Sequence, residues 1–320
     1  MKISKPKILT IITTFNPKDY LYPLSFKVFK QHWFKTIDSW LSQKEVNLTL
    51  IVADTISGPL SRERLKIYQG MKNRFDLLFI NEHLSMFIAI NLAIMLSEKE
   101  EYDYFSFSHS DLEFRKDTDL KRLLDIFTNY SNTVLVAPQS DNDMFLYSPH
   151  LNYFDENKPP TRVVIGEAVN GHLYIWNRRF AQAYDYKIPD ILEGCRTEDF
   201  FHYLCAAIKG DWRIAHDVQI HHLVNQDKRG DFRNFTSKYY HKDFMQMIKE
   251  GIPLGLGHQE CIPYSKEPNR VDRDRKLYNI NGYPIYNKAL YFYLKENLFL
   301  KEDRFNYIDI LRELFVPEKD

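Results

Sequence analysis

The sequence predicts an α/β fold: a mostly parallel central sheet flanked by helices, with a helical extension toward the C-terminus. Three observations carry this. β-Branched apolar runs alternate with helix-like runs through the first half, which favours a sheet covered on both faces. Breakers and polar residues follow the strand-like runs directly, as at Phe15-Asn16-Pro17, where loops belong. A chain of 320 residues and 38.3 kDa is long enough to bury a substantial core.

The elements follow in order. Residues 8–14 read as a first strand, 24–43 as a helix, and 48–53 as a second strand ending at Asp54. Residues 75–80 form a third strand, 86–96 a buried helix, and 102–107 a fourth strand that runs into the acidic tip His109-Ser110-Asp111. A helix over 120–130 and a strand over 133–137 follow, then a polar, proline-containing surface loop over 140–161. Residues 163–176 regain strand character, 198–208 are helical, and 212–222 form a strand ending in His221-His222. Beyond a charged stretch at 225–234, helical periodicity returns at 239–250 and 288–315. The boundaries expected are one domain over 1–224, with halves at about 1–137 and 138–224, and a loop plus mainly helical extension over 225–320.

Lys plus Arg equals Asp plus Glu, 43 each, so no global field draws the protein to nucleic acid, and no nucleic-acid partner is expected. Three cysteines are too few for a disulfide framework. The longest apolar stretch, 87–96, falls well short of the roughly 20 residues that span a bilayer. A cytoplasmic location follows, peripheral to a membrane if the apolar faces in 288–315 meet one.

Asn16, Asp54 and Asp111 all stand at carboxyl ends of strands, where ligands bind in open parallel sheets. Asp111 and one of the two terminal histidines have the donor chemistry for a divalent metal. Glu198 and Asp199 open a helix, where a carboxylate can serve as general base or simply complement the helix dipole. His172, Tyr174 and Trp176 share one strand face, suited to stacking on a sugar ring or to packing a core.

Taken together, Thr13-Thr-Phe-Asn16, Asp54-Thr-Ile-Ser57, Asn91, Ser108-His-Ser-Asp111, Gly171, Glu198-Asp199, Gly210 and His221 resemble a GT-A glycosyltransferase of the family 2 type, over about residues 7–224. The resemblance implies an enzyme that moves a sugar from a nucleotide-sugar donor of the UDP, GDP or dTDP type to a hydroxyl of a glycan acceptor, with inversion. Thr13, Asn16, Asp54, Asn91 and His109 would bind the nucleotide. Asp111 with His221 or His222 would hold Mn²⁺ or Mg²⁺, Asp199 would be the base with Glu198 beside it, and His172 and Trp176 would meet the acceptor. A cell-surface polysaccharide or glycolipid is the acceptor type implied.

The sequence departs from that pattern where His109 replaces the first acid of the Asp-x-Asp element, and where Ile90 replaces the Arg that often precedes Asn91. A GT-A-like module that binds or scaffolds glycans without catalysis is therefore the alternative. A sugar nucleotidyltransferase ranks below both, because the loop after the first strand has no glycine to cradle a triphosphate.

Overall fold

The computed structural model describes residues 5–14, 30–55, 57–81, 86–141, 154–163, 172–188, 201, 204–205, 208–223, 278–280 and 283–285. The strands are β1 (Lys7–Thr14), β2 (Asn47–Thr55), β3 (Asp76–Ile80), β4 (Tyr104–His109), β5 (Leu112–Phe114), β6 (Thr133–Ser140), β7 (Thr161–Arg162), β8 (Leu173–Asn177) and β9 (Asp211–His222). They form a 9-stranded sheet ordered β3-β2-β1-β4-β8-β6-β9-β5, with β7 paired to β9. β3, β2, β1 and β4 pair in parallel, as do β6 and β9. β8 is antiparallel to both β4 and β6, so those two strands point the same way across it. The mostly parallel sheet expected from sequence is therefore present, with β5, β7 and β8 running against it.

Alternation along β1 explains why its sequence is apolar throughout. Leu9 and Ile11 join one buried cluster, and Ile8 and Ile12 the other. A strand buried on both faces needs apolar residues at both parities. The helices are α1 (Lys35–Leu41), preceded by a π turn at Lys30–Phe34, then α2 (Pro59–Lys72), α3 (Met86–Met95), α4 (Asp119–Asn129) and α5 (Arg178–Ala183). α3 and α5 cover one face through Phe87, Ile90, Ile94 and Phe180. α1, α2 and α4 cover the other through Ile37, Trp40, Leu65, Leu120 and Leu124.

Helices α2 and α5 and strands β5 and β7 are not among the elements expected from sequence. α2 had a signal: Gly58 is its N-cap, Pro59 opens its first turn, and Asn73 closes it in the left-handed region at φ 46. β5 is three residues long, too short for any periodicity. Of the strand character expected over 163–176, residues 173–176 lie in β8 (Leu173–Asn177), and 164–171 lie outside the described residues. The helices expected at 239–250 and 288–315 lie outside the described residues. A two-stranded hairpin, β10 (Tyr278–Ile280) with β11 (Tyr283–Ile285), occupies part of the stretch between them.

Candidate active site

Register places the chemistry. Thr13 lies opposite His109 on one side and Ala53 on the other, and Thr14 lies opposite Asp54. The carboxyl ends of β1, β2 and β4 are thereby in line. Asp54 is fully buried, and its Oδ2 accepts from the Thr14 hydroxyl at 2.9 Å. Its Oδ1 accepts from Ser57 N at 3.3 Å and from Arg62 Nε at 2.8 Å. Arg62 is itself locked, donating to Asn81 Oδ1 at 2.6 Å and to Ile80 O at 2.5 Å, with its guanidinium over the Phe79 ring. Burial raises the Asp54 carboxyl above the ordinary aspartate range, against the hydrogen bonds from Ser57, Arg62 and Thr14.

The acidic tip is held from below by α1. Thr36 Oγ1 accepts from Leu112 N at 3.0 Å and Ser39 Oγ accepts from Phe114 N at 2.6 Å. Gln43 Oε1 accepts from Leu120 N at 2.9 Å. Thr36 and Ser39 share one face of α1, and Gln43 follows two residues past its end, so polar side chains from this one segment fix the backbone that follows Asp111 and the start of α4.

Asp111 ends a string of imidazoles. His222 Nε2 lies 3.1 Å from Asp111 Oδ2. The His222 and His172 rings sit 4.2 Å apart between centroids, and His172 Nδ1 lies 3.3 Å from His109 Nδ1. Burial alone would raise the Asp111 carboxyl. The His222 hydrogen bond and the positive charge that His222, His109 and His172 can carry outweigh it and hold the group well below the usual carboxylate range.

The two terminal histidines part company, as strand alternation requires. His222 is buried and meets Asp111, whereas His221 is exposed and pairs with Asp141 at 2.5 Å. Sequence could not choose between them because β9 slips against β6. Pro138 pairs with Ala215 and Gln139 with Gln219, so residues 216–218 fall between successive partners and parity is not conserved along the strand.

Thr13, His109, Asp111, His172 and His222 therefore gather at one end of the sheet. Asn91 does not join them: its amide bonds reciprocally with the backbone of Ile188, at 2.6 and 2.8 Å. Trp176, 2 % exposed, stacks on Phe105 within the core, which is the packing use of that strand face. Asn16, Glu198 and Asp199 lie outside the described residues. Arg62 and Asp141 escaped the sequence reading, since an Arg early in a helix and an Asp after a strand carry no distinguishing pattern.

The Asp111 end suits a divalent cation in one respect. Asp111 Oδ1 is buried and has no hydrogen-bond partner among the described residues, an orphaned acceptor that costs roughly 1–3 kcal/mol unless something neutralises it. Among those residues no three donors already converge on one point. No helix among the described residues is long and apolar enough to cross a membrane.

Comparison with known proteins adds the lineage. The sequence profile of glycosyl transferase family 2 matches residues 10–209. A protein assigned to teichuronic acid biosynthesis as a glycosyltransferase, TuaG of Bacillus subtilis (strain 168), is 24% identical over 160 residues, 48% of this chain and 57% of its own. The structure of the mannosyltransferase PcManGT from Pyrobaculum calidifontis, in complex with GDP-Man and Mn²⁺, superposes with a TM-score of 0.54 at 13% identity. That match covers 82% of this chain and 66% of PcManGT. The chain thus spans a little over half of TuaG and just under two thirds of PcManGT.

Proposed function

The chain belongs to glycosyl transferase family 2, and from that premise we propose that it transfers a sugar from a nucleoside diphosphate donor to a hydroxyl of a cell-surface glycan, with inversion. The observation that carries this is the buried Asp111 Oδ1, without a hydrogen-bond partner among the described residues, within the Asp111–His222–His172–His109 string. These groups lie at the carboxyl edge of a parallel sheet, where the fold class binds ligands.

Departure of a nucleoside diphosphate builds negative charge on its phosphate oxygens. Asp111 and His222 are the residues that would hold a divalent cation there. Bound, the cation supplies positive charge against the leaving diphosphate. His109 and His172, adjacent to that pair, donate hydrogen bonds to phosphate or ribose oxygens. Thr13, one register position from the Asp54–Thr14 contact, lines the same edge. Asp199 takes the acceptor's proton as the hydroxyl attacks the anomeric carbon opposite the leaving group, with Glu198 beside it. The GDP-Man and Mn²⁺ held by PcManGT support a nucleotide sugar and a divalent ion as ligands. The teichuronic acid role given to TuaG supports a polysaccharide acceptor.

The test is thermal stabilisation by UDP, GDP, dTDP and CMP, each with and without Mn²⁺. A ligand at about 100 times its Kd stabilises the folded state by about 2.7 kcal/mol, a shift of roughly 5–10 °C for a domain of this size. One nucleotide should give such a shift only with Mn²⁺, and Asp111→Asn should remove the Mn²⁺-dependent part. Asp199→Asn should keep the shift and lose turnover. Absence of any shift in the wild type would favour a glycan-binding module and overturn the transferase reading.

A further inference from the structure

Two adjacent histidines close β9, and the side chain that touches both is Asp141, the residue after β6. Asp141 Oδ1 accepts the backbone N–H of His222 at 3.0 Å. Asp141 Oδ2 lies 2.5 Å from His221 Nδ1 and accepts from Arg115 Nη2 at 2.8 Å. Its own N–H donates to Ile220 O at 3.1 Å, so the carboxylate is anchored to the strand on which it acts. The Asp141 side chain is 17% exposed. Burial alone would raise its carboxyl, but the bonds from the His222 amide, His221 and Arg115 hold it below the ordinary range.

We propose that Asp141 is a positioning residue: it fixes the His221–His222 dipeptide so that His222 faces Asp111 and His221 is held away. The importance of that orientation rests on the reading of the Asp111 end as the diphosphate end. Three facts argue for the role. The β5–β9 ladder, with Leu112 opposite His222 and Glu113 opposite His221, and the bond from Leu223 N to Asp111 O at 2.7 Å just beyond it set the backbone and the face each Cβ takes, but leave the ring torsions undirected. The slip of β9 against β6 between Ala215 and Gln219 separates the dipeptide's facing from the core pairing and leaves it to contacts at its own end, those with β5 and Asp141. Asp141 bonds to both histidines, gripping one through its backbone and the other through its ring. Outer partners of this kind commonly change metal affinity 10–100-fold when removed.

The experiment uses the full chain labelled with ¹⁵N-histidine at one fixed pH, with the His222 ring signals assigned by their loss in His222→Gln. Asp141→Ala is expected to move those signals away from the wild-type, carboxylate-bonded positions. It should also weaken apparent Mn²⁺ affinity in the nucleotide-shift assay by about 10-fold or more. Asp141→Asn keeps an oxygen for the His222 N–H and is expected to restore at least half of the ring-signal difference, which a loss of bulk structure would not predict. Unchanged His222 signals in the alanine variant overturn the proposal, whatever the nucleotides do. Moved signals in a protein whose wild type gives no Mn²⁺-dependent shift leave the positioning role standing and sink the transferase reading instead. Should the alanine variant fail to fold, Arg115→Gln decides in its place. That side chain is 49% exposed, its loss releases one anchor of the carboxylate, and unchanged His222 signals there would count against the role.

Discussion

Burial lifts the Asp54 carboxyl, whereas Asp111 and Asp141 are pulled down by cationic and N–H partners. The sign of each group's contribution to stability follows. A raised folded value gives Asp54 a contribution that is present below the unfolded value of about 3.9 and lost as pH rises through the folded one. The lowered values of Asp111 and Asp141 give contributions present above about 3.9 and lost as pH falls through their folded values. Urea unfolding of Asp141→Asn should therefore lie about 1 kcal/mol below wild type near pH 6, with the gap closing as pH falls below the ordinary aspartate value of about 3.9. A constant gap would mean that the carboxylate's charge is immaterial. At this scale the sequence exposed the residue types of the site, Asp111 and the His pair, because acids and imidazoles after strands are visible in one dimension. It concealed the partners: Arg62 and Asp141 matter only through what folding brings against them.

Elements set the site through two close approaches. α1 with the residues just past its end supplies Thr36, Ser39 and Gln43, which receive buried N–H groups of β5 and α4. Ser39→Ala would leave the Phe114 N–H buried and unpaired, at about 1–3 kcal/mol. The measurement is chemical denaturation, accompanied by loss of amide-exchange protection at Phe114. Retained protection would show that another acceptor serves that amide. Gly210 stands where β9 begins, and a Cβ there would run into the Val134 side chain. Gly210→Ala should cost about 1–3 kcal/mol, and Val134→Ala should recover part of it by opening space. Helix α1 was legible in the sequence, but these polar residues were not recognisable as a cradle, since residues 36–43 and 112–120 meet only after the sheet forms. α2 was missed although its Gly-Pro start and Asn end are ordinary helix boundary signals.

Across the whole molecule, one sheet is shared by two buried faces. All four tryptophans are buried, Trp33 and Trp40 on one face, Trp176 and Trp212 on the other. If the sheet couples the faces, fluorescence from either pair should unfold together with circular dichroism. Trp33→Phe/Trp40→Phe and Trp176→Phe/Trp212→Phe variants test this, each with its remaining pair as reporter. Separate midpoints within one variant would show that the faces melt independently. The sequence by itself determined the α/β class, most strand positions, the double burial of β1 and the acidic tip at Asp111, because periodicity and breaker residues are local. Only the tertiary structure decided that β8 runs against its neighbours, that Trp176 belongs to the core, that Asn91 bonds to the Ile188 backbone, and that His222 rather than His221 meets Asp111. Each of those depends on strand direction, on the slip between β6 and β9, or on a partner many residues away, and none of these is carried by local pattern.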